Sequence, residues 1–397
     1  MDTSRTATQT PTTTELVRRA SELVPLLREH ADWVEKNRRL APEVLEALAD
    51  AGLFKMRVPV RYGGYESDVR TVSQVVAELA RGDGSTSWTV AVWMISTWIA
   101  GMFPDSAQDE IFATPDVRVC GILSPTATAE PVDGGIVVNG KWAFNSGVYH
   151  STWNTNAVIL LRPDSGPEPV MTAIPIEELE IVDDWYTSAV RGSGSASTVA
   201  KNVFVPQERV LSMGPVMRQQ YSSELNADSP IFRAPLLPTA CATVSGTAAG
   251  LAQAARDTFF ERLPGRKISY TDYEDQSAAP LTHLQVADAT VKIDEAEFHA
   301  QRAATLVDTK SLNGEEWTLE ERARVRLDMG AAWQRAKDAV DILHTASGGS
   351  AIYSHVPIQR ISRDVQALNL HGVMHPNTNL ELYGRILCGL EPNTHYL

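Results

Sequence analysis

Gly140-Lys-Trp-Ala-Phe-Asn-Ser-Gly-Val-Tyr-His-Ser-Thr-Trp153 concentrates Trp142, Phe144, Ser146, Gly147, His150 and Trp153 in one short segment. It reads as a strand followed by a loop. On an extended strand Trp142, Phe144 and Ser146 share one parity and point to one face. Two aromatics beside a hydroxyl make a flat apolar surface with one hydrogen-bonding point, suited to the edge of a planar heteroaromatic ring. The same pattern also describes a half-buried strand whose aromatics are core. The surrounding chain has to decide between the two.

Three regions flank or contain this segment. From about Glu15 to Ala113 the pattern is helical, with Leu16, Leu23, Leu26 and Leu27 at helical spacing and Val44, Leu45 and Leu48 following Pro42. Pro59 to Gly64 breaks it, a helix is expected over Val69 to Arg81, and an apolar run covers Trp88 to Phe103. From about Pro115 to Val210 strands take over. Val132-Asp-Gly-Gly135 is a hairpin signature, and Val158–Leu161, Val170–Ile174 and Val199–Val205 are strand candidates. Beyond Pro235, the runs Thr239–Arg262, Leu284–Thr309 and Leu319–Ser347 are each long enough for a bundle helix. The expected division is a disordered tail over 1–14, a helical domain over 15–113, a β domain over 114–212 and a helical bundle over 213–397.

The chain has 397 residues, a formal net charge of −14, 43% hydrophobic and 21% charged residues. Its acidity speaks against nucleic acid or an anionic membrane as partner. The apolar run after Trp88 is too short to span a bilayer and carries Thr89, Ser96 and Thr97, so a buried helix is expected. Cys120, Cys241 and Cys388 are widely spaced and odd in number, which fits thiols in a reducing, cytoplasmic setting. The polar, Thr-rich start lacks the apolar core of a signal peptide. No nucleotide-binding glycine motif stands in its proper strand–helix setting, so nicotinamide binding is not expected.

Read together, four segments carry a resemblance. They are Trp142-x-Phe144-x-Ser146-Gly147-x-x-His150-x-x-Trp153; Trp185-Tyr186 with Arg191-Gly-Ser-Gly-Ser195; Val205-Pro206; and Arg363-Asp364-Val365 followed by His371. In the order helices, β domain, helices, with Tyr62-Gly-Gly64 near the first break, the chain resembles the acyl-CoA dehydrogenase superfamily. Within it, the chain is similar to the oxygenase components of two-component flavin-dependent monooxygenases, with indole-oxidising members nearest. The fold class implied is α+β, mainly α: an N-terminal helical domain, a small middle β-barrel or sandwich, and a C-terminal four-helix bundle.

That resemblance implies hydroxylation of an electron-rich aromatic ring through a flavin C4a-hydroperoxide, with O2 as co-substrate. Reduced FAD is the expected cofactor and FMN stays open. A separate NAD(P)H:flavin reductase supplies it, and the expected assembly is a homotetramer. Ser146 is expected near flavin N5, where a fixed hydroxyl slows loss of peroxide. Trp142 and Phe144 are expected beside the ring with Ser124. Arg191, Ser193 and Ser195 form a glycine–serine loop that donates hydrogen bonds, while Gly348, Gly349 and Arg266 are assigned to the pyrophosphate. The same Gly-Gly also reads as a plain helix stop.

His371 is expected to be the catalytic base, since removing a phenol or indole proton raises electron density at the attacked carbon. His150 is counted with His371 and Ser146 as catalytic, on the substrate side, and Trp93, Ser96, Thr97 and His375 are placed in the substrate pocket. Small hydroxyls at Ser96 and Thr97, where related hydroxylases carry a histidine, point to a bulky neutral substrate. His371 and His375 lack a third ligand, so no metal is expected. Near Val373 to Gly384 the Tyr-Glu-Gly-Thr segment of an acyl-CoA dehydrogenase is missing, and Glu381 is out of register. The alternatives are an N-oxygenase of an amine or amino sugar, a dehydrogenase with a relocated base, and a non-catalytic flavin-binding scaffold.

Overall fold

The computed structural model describes residues 10–163 and 166–397. Helix α1 (Thr13–Asn37) begins where Thr12 Oγ1 accepts the Glu15 N–H, 3.2 Å away. The expected tail is therefore corrected at its inner end: Thr13 and Thr14 are helical, because a threonine cap followed by an acidic first turn starts the helix there. Residues 1–9 lie outside the described residues. Helix α1 buries Leu16, Ala20, Val24, Leu27, Ala31 and Val34, a stripe at three- and four-residue spacing.

Helix α2 (Pro42–Asp50) follows, then α3 (Val69–Gly82), α4 (Gly84–Ala100) and α5 (Asp105–Ile111). Asp68 and Asp83 cap α3 and α4 by accepting the N–H groups of Thr71 and Thr86. Helix α4 is buried on nearly every side, with Trp93 and Trp98 both at most 2% exposed. Its apolar run therefore belongs to the core, and no helix among the described residues is long and apolar enough to cross a membrane.

The middle region is one seven-stranded sheet. Its strands are β1 (Val119–Val132), β2 (Gly135–Trp142), β3 (Trp153–Arg162), β4 (Gly166–Pro175), β5 (Glu180–Val182), β6 (Ser197–Pro206) and β7 (Val210–Ser212). They lie in the order β5-β6-β2-β1-β3-β4-β7, with only the β1–β3 pair parallel. Side chains from six strands, among them Ala127, Val138, Trp142, Val158, Val170, Val205 and Val210, close a single interior. The strands thus wrap around one interior as the expected small middle β domain, with β5 and β7 at the ends of the strand order.

The remainder is helical: α6 (Met213–Met217), α7 (Leu236–Arg262), α8 (Pro280–Asn313), α9 (Leu319–Ala346), α10 (Pro357–Asn369) and α11 (Pro376–Leu387). Helix α9 starts at a full capping box made by Thr318 and Glu321. Helices α3 and α7 meet at backbone contact. A Cβ on Gly246 would lie 2.0 Å from the Ser73 carbonyl oxygen, and one on Gly250 would lie 2.0 Å from that of Ala77. Only glycine fits either position.

Candidate active site

The opening segment does not run straight. Strand β2 ends at Trp142, and Phe144 has φ +67°, so the alternation that would align Trp142, Phe144 and Ser146 stops before it reaches the serine. Trp142 is fully buried inside the sheet, its indole N–H donating to the Ala157 carbonyl. This corrects its placement beside a cofactor. Phe144 is 66% exposed and meets Trp185 edge-on with ring centres 5.9 Å apart. Buried Asn145 pins the turn by donating to the Trp142 carbonyl and Thr198 Oγ1 and accepting from Asn154. Gly147, at φ +76°, completes it against the Trp93 ring, where a Cβ would lie 2.4 Å from Nε1.

The turn delivers Ser146, only 4% exposed, into a chain of hydroxyls. Trp88 Nε1 donates to Ser146 Oγ at 3.0 Å; Ser146 and Ser195 share a hydrogen at 2.8 Å, and Ser195 and Ser193 at 2.7 Å. The chain ends on the Val190 carbonyl, which accepts from Ser193 Oγ at 2.8 Å and from Trp185 Nε1 at 3.2 Å. Val190 itself is left-handed (φ 48°), and its N–H is held by Asp364 Oδ1 at 2.6 Å. Burial pushes the Asp364 carboxyl up to about 7, against the lowering effect of the Val190 N–H; nearby Asp83 raises it further, and Arg360 and Arg363 lower it. One acid on α10 therefore anchors the loop that carries Ser193 and Ser195. Arg191, in the same loop, has a buried Nε with no partner among the described residues.

His371 lies just past the end of α10, in a recess open to solvent, with its ring edge-on to Trp88 at 5.6 Å between centres. The protein packed around the recess holds its imidazole below the ordinary histidine value. Its Nδ1 accepts the Val373 N–H at 3.3 Å, so the neutral ring carries its proton on Nε2 and its basic lone pair on Nδ1. Trp88 thus joins Ser146 and His371, which lie 225 positions apart in the sequence.

Other expected residues fall elsewhere. Trp93 donates to Ser151 Oγ at 3.0 Å and packs edge-on to Phe54, so it supports the Gly147 turn instead of lining a pocket. Counted at 100° per residue from Trp88, Ser96 and Thr97 point about 80° and 180° away, and both are 3% exposed. The half-buried Val92 and Ile95 share the Trp88 face at the i+4 and i+7 positions. Those two apolar side chains take the place assigned to the hydroxyls.

His150 is wedged beside Arg118, Arg39 and the Leu40 backbone. Burial first, then the two arginines, lower it to about 4, and its Nε2 has no partner among the described residues. It is a neutral packing histidine on the far side of the turn, which corrects its catalytic assignment. His375 caps α11, where Pro376 restarts the helix, and its Nδ1 is likewise unpartnered. Asn379 is fully buried against Arg326. Ser124 is exposed, in the stretch between Ile122 and Ala127 where β1 slips register against β3. Among the described residues no group of three His, Cys, Asp or Glu could hold a metal ion.

A second polar cluster forms at the far end of the bundle. Arg266 Nη2 donates to the Ser347 carbonyl at 2.5 Å and lies 3.6 Å from the position of a Cβ on Gly348, while Arg262 Nη2 reaches Ser350 Oγ at 3.2 Å. Burial and the neighbouring Arg262 hold Arg266 below the ordinary arginine value. Neither arginine has a carboxylate partner among the described residues, and Arg262 Nη1 is buried without any. Two adjacent guanidiniums beside an open glycine turn fit a diphosphate. Leu251 of α7 touches the Gly84 level of α4, and Arg262 lies eleven residues on, about 16 Å further along the axis. The arginine cluster shares no hydrogen bond with Ser146 among the described residues.

Trp88, Val92, Ile95 and Arg262 escaped the sequence reading. Each looks like an ordinary core or surface residue, and only a contact across the fold marks it. For Arg262 the available signal was its spacing of four from Arg266.

Comparison with known proteins identifies the family. Residues 12–112 match the model for the acyl-CoA dehydrogenase N-terminal domain, and residues 242–376 that for the C-terminal domain. The chain is 30% identical over 371 residues to the flavin-dependent monooxygenase oxygenase subunit HsaA of Rhodococcus jostii strain RHA1, covering 93% of this chain and 97% of that protein. It is 28% identical over 398 residues to the oxygenase component of the FADH2-dependent resorcinol hydroxylase of Rhizobium sp. strain MTP-10005, covering 98% and 97%. XiaF from Streptomyces sp., solved with FADH2 and glycerol, superposes with a TM-score of 0.91 at 30% identity, over 97% of this chain and 98% of that one.

Proposed function

Since the chain belongs to the flavin-dependent monooxygenase oxygenase subunits of the acyl-CoA dehydrogenase fold, we propose that it hydroxylates a bulky, neutral, electron-rich aromatic ring of the indole or phenol type. The observation that carries this reading is the contact of His371 with Trp88, whose indole N–H holds Ser146. Reduced FAD, delivered by a separate reductase, supplies the electrons that activate O2 so that one oxygen atom reaches the substrate.

The residues divide the remaining work. Trp88, Val92 and Ile95 present an aromatic and aliphatic wall that favours an uncharged ring and excludes water. His371, held neutral, takes the substrate proton at Nδ1; the long Val373 contact occupies that lone pair until a substrate N–H or O–H replaces it. Ser146 would meet the flavin at N5, and Arg191 with the serine loop would offer hydrogen-bond donors to it. Arg262, Arg266 and the Gly348–Gly349 turn would hold the diphosphate of a cofactor bound by a neighbouring chain of a homotetramer. The missing Tyr-Glu-Gly-Thr segment, and the lack among the described residues of any acid hydrogen-bonded to His371, weigh against α-proton abstraction from a thioester.

The test is mass spectrometry of reactions containing the protein, chemically reduced FAD, O2 and a panel of indoles, phenols and amines. A 16-mass-unit gain on an indole or phenol is expected. Gain on amines alone, or anaerobic bleaching of oxidised FAD by an acyl-CoA, overturns the reading.

A further inference from the structure

We propose that the buried chain Ser146–Ser195–Ser193 has a fixed hydrogen-bond polarity that makes Ser146 an acceptor toward the cofactor, and so selects reduced over oxidised flavin. The inference rests on the reading above that Ser146 meets flavin N5.

The polarity follows from counting hydrogens. A serine hydroxyl has one hydrogen and two lone pairs, whereas a carbonyl only accepts and an indole N–H only donates. Ser193 Oγ lies 2.8 Å from the Val190 carbonyl, so its hydrogen is spent there. Its 2.7 Å contact with Ser195 then requires Ser195 to donate. With that hydrogen committed, the 2.8 Å contact between Ser195 and Ser146 requires Ser146 to donate. Trp88 Nε1 occupies one Ser146 lone pair. What remains on Ser146 is one lone pair and no hydrogen.

A reduced flavin carries a hydrogen on N5, which that lone pair accepts. An oxidised flavin presents a bare N5 lone pair, for which Ser146 has nothing to offer. For Ser146 to donate to it, the chain must reverse, and one contact then loses its hydrogen: either Ser193 and Ser195 face each other without one, or Ser193 turns to Ser195 and gives up the Val190 carbonyl. The site is dry: Ser146, Ser193 and Ser195 are 4%, 1% and 3% exposed, so water does not repair the break. The loss of one net hydrogen bond corresponds to roughly a fivefold preference. Ser193 and Ser195 are accordingly positioning residues that act through Ser146, and the Val190 carbonyl, with its N–H fixed by Asp364, is the terminus that sets the direction.

The test measures dissociation constants of oxidised FAD, and anaerobically of reduced FAD, for the parent protein and for Ser193→Ala, Ser195→Ala and Trp88→Phe. Either alanine frees the Ser146 hydrogen, directly or by letting Ser195 turn. Each should narrow the oxidised-to-reduced ratio about fivefold, chiefly by tightening the oxidised form. The midpoint potential of bound FAD should fall by about 20 mV, at roughly 30 mV per decade for two electrons. Trp88→Phe removes a donor to Ser146 without freeing that hydrogen, so both constants should move together with the altered wall, without the fivefold narrowing of the ratio. Retained binding of reduced FAD shows that each variant is folded. Ratios unchanged in both serine variants, or narrowed equally by Trp88→Phe, overturn the relay while leaving the hydroxylase reading intact. A parent protein that binds no reduced FAD overturns both.

Discussion

Replacing Asp364 by asparagine keeps an oxygen for the Val190 N–H and removes a carboxyl that burial pushes up to about 7. In the unfolded chain an aspartate returns to its ordinary value of 3.8. A raised folded value means that the native state holds the proton more tightly. This group therefore favours folding progressively as pH falls from 7 toward 4, and opposes it in full above 7. A gap of about three units corresponds to about 4 kcal/mol, an upper figure because the surroundings relax around the ionised form. The neutral amide of Asp364→Asn carries no such penalty, so the variant should exceed the parent by about 2–4 kcal/mol at pH 8. The difference should close as pH approaches 4.5. Urea unfolding followed by tryptophan fluorescence, at one protein concentration and a series of pH values, reads the difference directly. A variant weaker than the parent at pH 8 would mean that Arg360 and Arg363 hold the ionised Asp364 more favourably than burial penalises it, which refutes the raised value.

His371→Gln should lower turnover at least a hundredfold with reduced-FAD affinity retained. In the parent, the depressed histidine value should keep activity intact at pH 6.5 and lose it only below that; a midpoint at or above 6.5 in the pH–rate profile contradicts the assignment. Arg262→Ala and Arg266→Ala should each weaken FAD about tenfold and FMN much less, because only FAD offers a diphosphate; equal losses in titrations with both flavins refute the cluster's role. Gly147→Ala forces a side chain to φ +76° and into the Trp93 ring, at a cost of about 2–4 kcal/mol. A urea midpoint shift equivalent to less than about 1 kcal/mol would show that the turn adapts.

Helices were the most legible part of the chain, since periodicity and caps are local. The expected helix from Val69 ends one residue early, and the expected start at Leu319 coincides with a capping box. The sheet's order was not legible, because β1 pairs with β3 across a crossover that no local pattern encodes. At the site, Ser146 and His371 stood out by their chemistry in unusual surroundings. Trp142 misled because strand parity holds only while the backbone stays extended, and positive φ at Phe144 ends it. Trp88 was hidden among the tryptophans of an apolar helix, its role visible only through partners far away in sequence.

The glycine contact between α3 and α7 bears on how the enzyme breathes. With Gly246 and Gly250 seated on the Ser73 and Ala77 carbonyls, the two helices meet backbone to backbone at two levels, which resists sliding. Helix α4 is packed against this rigid pair. Admission of cofactor and substrate therefore falls to the segments outside it: the turn at 144–147, the loop at 190–196 and the bend that carries His371. Hydrogen exchange should find α3 and α7 among the slowest amides and these three segments faster than that pair, with cofactor slowing the second set alone.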